Sequence, residues 1–244
     1  MLPLSHVYVS TQASGRKTPL LIFGSILPDI ATTSAQSIGR DKIHNAPRDF
    51  FNFVQTHYPD LIDLAWGVRL HSQVDGGADY YSDDSKAGYA KIEGAKISHA
   101  VAELLEIPKG DVSLVLAHNF IELAVDLQLH QDHPEVLTSY RAALEAIEPR
   151  IPEITECLAD YLNLDSSLIL SELRTLIYFL SPANFLSKDA AVQQVVLPLI
   201  KIKFHKSVAA TEVLKIVDQA IFITKSTYGE FLSNSVIKVT RNIL

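Results

Sequence analysis

Two apolar, helix-like stretches of this chain each carry a histidine and a carboxylate four residues apart. In residues 61–79, LIDLAWGVRLHSQVDGGAD, the pair is His71 and Asp75. Four residues are about one helical turn, so we expect both side chains on one face of a helix, where they can hold one cation. An unpaired buried carboxylate is costly, and a bound metal ion offsets that cost. For this stretch alone, an exposed surface pair is the alternative explanation.

The second stretch, residues 112–130, repeats the arrangement. It reads VSLVLAHNFIELAVDLQLH and places His118 and Glu122 four residues apart. Because most of its other residues are apolar, we expect this helix to lie near the centre of the fold. Two separate helices with the same kind of pair favour metal binding over coincidence.

The rest of the chain also has helical periodicity, and no alternating strand pattern of convincing length occurs in it. We therefore predict an all-α fold with one domain over residues 1–244. Its metal-ligand half is residues 1–133, and its helical packing half is residues 134–244, where the helix-like segments hold few candidate ligands. Residues 76–87, GGADYYSDDSKA, read instead as a polar loop.

Composition narrows the class of function. The net charge of −7 argues against a general nucleic-acid binder. Cys157 is the single cysteine, which excludes an intrachain disulfide framework and fits a reducing compartment. We see no signal peptide at the N-terminus and no apolar run long enough to span a bilayer, so the sequence predicts a cytoplasmic protein without a transmembrane segment.

Three further candidate ligands precede these two pairs. His6, Asp29 and His44 each stand beside apolar sequence on a different segment. Imidazole nitrogen and carboxylate oxygen are the usual protein ligands of zinc, and they also suit manganese and iron. Together with the two pairs they make seven groups, more than one tetrahedral ion needs. Two ions are suited to phosphoester hydrolysis, because one activates water while both stabilise charge on the phosphoryl oxygens.

The order of these motifs resembles the zinc-dependent phospholipase C family, whose fold is shared with the P1/S1-type nucleases. The resemblance covers about residues 4–126. The motifs that carry it are LSHVYVS with His6, GSILPDI with Asp29, KIHN with His44, WGVRLHSQVD with His71 and Asp75, and AHNFIELAVD with His118 and Glu122. It implies a multi-helix bundle with a metal site between helices, two or three zinc ions, and phosphodiester hydrolysis.

The sequence departs from the family pattern at two ligands. Secreted members have another zinc-binding histidine soon after the His-x-x-x-Asp pair, whereas this chain has no histidine between Asp75 and His99. Asp79 or Asp83 is the candidate substitute. Secreted members also use the amine of the mature N-terminus as a ligand, and no processing site is visible here.

The sequence thus predicts a zinc-dependent phosphoester hydrolase whose substrate is a small phosphoester or a phospholipid head group. In this hypothesis His118 and Glu122 hold one ion and His71 and Asp75 another. Asp29 is the catalytic residue, which bridges the ions or orients the attacking water, and His6 and His44 complete the ligand sets. A P1/S1-type nuclease is less favoured, because an acidic chain offers no obvious groove for a polyanion. A helical metal-binding or scaffold module without turnover is the other alternative.

Overall fold

The computed structural model describes residues 2–34, 38–84 and 87–243, with all side chains there except those of Asp111 and Lys203. Within these residues all regular structure is helical and no strand occurs, so the all-α prediction is confirmed. The α-helices before residue 134 are α1 (Pro3–Ser14), α2 (Pro19–Gly24), α3 (Ile30–Thr33), α4 (Arg40–Ile43), α5 (Pro47–His57), α6 (Ile62–His71), α7 (Ala78–Asp83), α8 (Tyr89–Ala95), α9 (Ser98–Leu105) and α10 (Asp111–Asp132).

The remainder of the chain adds seven α-helices in the described residues. They are α11 (Pro134–Ile147), α12 (Ile151–Leu162), α13 (Ser166–Phe179), α14 (Lys188–Ala191), α15 (Leu197–Phe204), α16 (Ala210–Thr224) and α17 (Tyr228–Ile243). Four 3-10 turns, Leu27–Asp29, Pro59–Leu61, Glu148–Arg150 and Pro182–Phe185, connect helices, and a π-helical segment, Val192–Val196, joins α14 to α15.

Helix α10 is the long central element. It has 22 residues and packs against α1, α8, α9, α11 and α16. Among the described residues it is the one helix that is long and apolar enough to cross a membrane, which the sequence analysis did not recognise. However, 72% of its apolar window is buried inside the protein, as in the core helix of a bundle. Its burial carries His118 and Glu122 into the interior.

Helices α2 and α6 approach each other through glycines. A Cβ at Gly24 would lie 2.1 Å from the carbonyl oxygen of Leu64, and one at Gly67 would lie 2.3 Å from that of Leu21. Any larger residue at either position would therefore push the two helices apart. This close packing brings the backbone of Ser25, which follows α2, to the side chain of His71 at the end of α6.

The chain leaves helical geometry directly after His71. Ser72 is extended, with φ −58° and ψ 137°, and Gly76 has a positive φ of 75° that favours glycine. Helix α7 then begins at Ala78. Two sequence interpretations are therefore wrong: residues 61–79 are not one helix carrying both His71 and Asp75, and residues 78–83 form a helix within the stretch that read as a loop.

Candidate metal centre

The first group of candidate ligands is fully buried between α1, α6 and α7. It consists of His6, His71 and Asp79, which offer ligand atoms all within 4.8 Å of one another. Nε2 of His6 lies 3.2 Å from Oδ1 of Asp79, and Nε2 of His71 lies 3.1 Å from Oδ2. The two imidazole rings stack with their centroids 3.9 Å apart. We call these residues, together with His44, the histidine group.

His44 joins this group from the end of α4. Its side chain is buried, and its Nε2 lies 3.0 Å from Oδ2 of Asp79. Its ring meets that of His71 edge-on, with centroids 5.1 Å apart. Three imidazoles therefore converge on one carboxylate, although they come from segments up to 65 residues apart, from His6 to His71.

Two of these histidines have buried nitrogen atoms without a hydrogen-bond partner. They are both nitrogens of His6 and Nε2 of His71. Nδ1 of His71 lies 2.8 Å from the carbonyl oxygen of Ser25, and since a carbonyl only accepts, Nδ1 carries a proton, which leaves the lone pair of the neutral ring on Nε2. The short contacts of His6 and His71 with Asp79 lack hydrogen-bond geometry. A zinc ion accepts imidazole lone pairs and neutralises a carboxylate, so the residues fit one.

The second group lies on α7 and α10. It consists of Asp83, His118 and Glu122, whose ligand atoms are again within 4.8 Å of one another. Oγ of Ser82 donates a hydrogen bond of 3.0 Å to Oε1 of Glu122, and Nζ of Lys91 lies 3.0 Å from Nδ1 of His118. We call these three residues the carboxylate group, because two of them are acidic and one is an imidazole.

Burial changes the charge state of both groups. Burial, together with the nearby His71, lowers the pKa of His6 to about 4. Burial also lowers the pKa of His118 to about 4, although Asp83 acts in the opposite direction. Both imidazoles are therefore neutral near pH 7, as a metal ligand must be. For His71, burial is the largest influence and lowers the pKa, but Asp79, Asp29 and the Ser25 carbonyl together more than offset it, so the pKa lies above its ordinary value.

The carboxylates respond to the same burial in different ways. Burial raises the pKa of Glu122 well above its ordinary value, and the adjacent Asp83 carboxylate raises it further. Burial also raises the pKa of Asp79, but His71 and His6 help to hold it well below the ordinary value. Burial thus favours the protonated form of Glu122 in the carboxylate group, and a divalent cation would favour its ionised form, while Asp79 stays ionised among imidazoles.

Helix α7 connects the two groups. Asp79 and Asp83 are four residues apart on it, so they lie on one face, about 5–6 Å apart at Cβ. Asp79 belongs to the histidine group and Asp83 to the carboxylate group. The sequence analysis had named both only as substitutes for a missing histidine. Their i,i+4 spacing within ADYYSD was the available signal.

Both groups border one cavity of about 200 Å³. Its polar lining includes Asp29, Arg40, His44, Asp79 and Glu122. Its apolar lining comes from both halves of the chain and includes Leu116, Phe120, Phe179, Val195 and Leu199. A largely apolar cavity with a few convergent polar groups is typical of a ligand site.

Six of the seven predicted site residues border this centre. His6, His44, His71, His118 and Glu122 belong to the two groups, and the half-buried Asp29 lines the cavity on the 3-10 turn after α2. Asp75 does not. Its carboxylate contacts Nε of Arg48 at 2.8 Å and Nε of Arg69 at 3.3 Å. The pairing of Asp75 with His71 fails because α6 ends between them.

No protein-family model, curated protein or solved structure matches the chain. The resemblance to zinc-dependent phospholipase C therefore depends on its motifs and on the two ligand groups. The departure at the N-terminal amine ligand falls on Met1, which lies outside the described residues.

Proposed function

We propose that this protein is a metal-dependent phosphoester hydrolase with two adjacent metal ions. One ion is held by the histidine group and the other by the carboxylate group. The observation that carries the proposal is the position of α7, whose Asp79 and Asp83 place one carboxylate in each group, a single helical turn apart. Neighbouring ions of this kind are typical of enzymes that hydrolyse phosphoesters.

The donor atoms favour zinc. Imidazole nitrogens and carboxylate oxygens are its usual ligands, and the buried nitrogens of His6 and His71 that have no hydrogen-bond partner can donate lone pairs to it. Bound in this centre, zinc lowers the pKa of water and neutralises charge on the phosphoryl oxygens. The protein largely shields the first ion from bulk water, because the side chains of the histidine group are buried.

Asp29 is the residue that we assign to the attacking water. It lines the cavity alongside Asp79, Asp83 and Glu122, yet it belongs to neither ligand group. A carboxylate in that position accepts a hydrogen bond from water, orients its oxygen, and takes its proton during attack on phosphorus. The apolar part of the cavity lining is suited to the hydrocarbon part of a phosphoester, so both a small aryl phosphodiester and a phospholipid suit the cavity.

Hydrolysis by the zinc-loaded protein tests this function. The substrates are bis(p-nitrophenyl) phosphate, a phosphatidylcholine and single-stranded DNA, with metal content measured in parallel. We expect hydrolysis of at least one of the first two, and a loss of roughly 10²–10⁴-fold in kcat on Asp29→Asn with the metal retained. Asp49→Asn, an exposed aspartate on α5, is the matched control and leaves the rate unchanged.

Three results would contradict parts of this proposal. Equal rates for wild type and Asp29→Asn remove Asp29 from the chemistry. Hydrolysis of DNA alone favours a nuclease. A zinc-loaded protein that hydrolyses none of the three is a metal-binding module without turnover.

A further inference from the structure

Most arginines of this protein pair with a carboxylate. The pairs are Arg16 with Asp63, Arg48 and Arg69 with Asp75, Arg150 with Glu153, and Arg174 with Glu148. In the part of the chain that the structure describes, Arg40, Arg141 and Arg241 have no such partner, and of these three Arg40 alone lines the cavity. Arg40 is therefore a positive charge that lines the candidate active site without an ion pair to a carboxylate of the described residues. Such a charge is suited to binding an anionic ligand.

Arg40 is held against a candidate metal ligand. Its Nη2 lies 2.7 Å from Nε2 and 3.2 Å from Nδ1 of His44, and its Nη1 donates a 3.1 Å hydrogen bond to Oγ1 of Thr32. Thr32 and Thr33 line the same cavity. The guanidinium is otherwise exposed, so most of its five N–H donors are available to a ligand.

The contact with His44 cannot persist beside a metal ion. Nε2 of His44 is also the atom that faces Asp79, at 3.0 Å, and it has a single lone pair. If that lone pair goes to an ion, Arg40 loses its acceptor and stands close to a second positive charge. An anion between the guanidinium and the ion relieves this repulsion, and a phosphoryl group is suited to the planar fork of arginine.

We infer that Arg40 binds a non-bridging oxygen of the phosphoryl group of the substrate, and that it sets the affinity of the site for phosphate esters. This inference rests on the proposed function for the metal ion beside His44 and for identifying the anion as the substrate. Arg40 itself touches the phosphoryl group and is not a metal ligand. Free phosphate and a phosphoester share the chemistry that Arg40 recognises, so both serve as probes.

The test compares wild type with Arg40→Gln, Arg40→Lys and Arg141→Gln, all zinc-loaded and freed of excess zinc. Arg141 is an exposed arginine on α11, so its variant matches the charge change away from the cavity. Inorganic phosphate binding is measured by calorimetry, kcat and KM are measured with bis(p-nitrophenyl) phosphate, and zinc is measured by elemental analysis.

We expect Arg40→Gln to raise the dissociation constant of phosphate and the KM by about 10- to 100-fold, as the loss of a charged hydrogen bond predicts. Arg40→Lys keeps the charge but not the fork, so we expect it to fall between Arg40→Gln and wild type. Arg141→Gln should match wild type. Zinc content should be the same in all four proteins.

Several outcomes would overturn the inference. Equal phosphate affinity in Arg40→Gln and wild type is one, and absence of phosphate binding by wild type is another. Loss of zinc in Arg40→Gln is a third, because Arg40 would then act by positioning His44. If wild type binds phosphate through Arg40 but hydrolyses no phosphoester, the hydrolase proposal fails while the anion site stands.

Discussion

Asp126 on α10 accepts a hydrogen bond of 2.9 Å from the backbone N–H of Ser5, 121 residues earlier in the chain. Its other oxygen accepts one of 2.8 Å from the N–H of Leu4, and the hydroxyl of Ser5 donates to the same carboxylate. These N–H groups belong to the first turn of α1, where an α-helix has no backbone acceptor for them. Asp126 therefore caps α1 from a different helix.

This cap links the two ligand groups. Ser5 immediately precedes His6 of the histidine group, and Asp126 is one helical turn after Glu122 of the carboxylate group. A shift of α1 along α10 would break the cap and separate the groups. Asp126 is thus a positioning residue for the metal centre although it is not a ligand.

Removing the cap should destabilise the fold. We expect Asp126→Ala to lower the free energy of unfolding by about 1–3 kcal/mol, because two buried N–H donors lose their acceptor. Ser5→Ala removes only the hydroxyl and should cost less. Urea unfolding of both variants at pH 7 measures the difference. Equal stability of wild type and Asp126→Ala would show that the cap does not hold α1.

The same carboxyl should give the fold a specific pH dependence. Burial raises the pKa of Asp126 to about 6 from 3.8, although its three hydrogen bonds act in the other direction. Since the pKa is higher in the folded state, the stabilising contribution is complete below about pH 4 and is lost as the pH rises through about 6. The shift corresponds to about 3 kcal/mol.

Comparison with Asp126→Asn isolates this contribution. The amide does not titrate, so we expect the stability of wild type relative to the variant to fall as the pH rises from 4 to 7. Urea unfolding of the metal-free proteins at several pH values measures this, and other titrating groups cancel in the difference. Parallel profiles for the two proteins would contradict the assignment.

Substitution by asparagine should lower the zinc content at Asp79 but not at Asp75. Asp79→Asn removes the one carboxylate of the histidine group, so we expect it to lose at least one equivalent of zinc. Asp75→Asn should keep the full zinc content, because Asp75 contacts Arg48 and Arg69 instead. Elemental analysis measures the zinc content of both variants. Zinc loss from Asp75→Asn alone would instead support Asp75 and His71 as ligands of the same ion.

Zinc should stabilise the folded protein by mass action. The ligands come from α1, α4, α6, α7 and α10, so an ion links segments that separate on unfolding. At a free zinc concentration 100 times the dissociation constant, we expect the melting temperature to rise by roughly 5–10 °C. Calorimetry with chelator, then with zinc restored, measures it, and a chelator already saturated with zinc is the control. An unchanged melting temperature after proven zinc removal would contradict this.

The sequence alone predicts the features that depend on the geometry of a single helix. Helical periodicity indicates the all-α class, and the 22 residues of α10 are continuous, so the spacing of His118 and Glu122 alone places them on one face. The apolar surroundings of His6 and His44 likewise marked them as candidates. In each case the relevant geometry is local and repeats with every turn.

The tertiary structure decided which carboxylate meets which histidine. Asp75 has the correct spacing from His71, but the helix ends at His71, and the turn through Gly76 and Gly77 directs the chain so that α7 presents Asp79 instead. A Cβ at Gly77 would lie 2.5 Å from the carbonyl oxygen of Leu70, so this turn depends on packing against the end of α6. Sequence spacing predicts side-chain direction only while the backbone geometry repeats, and beyond a turn the packing of separate segments determines it.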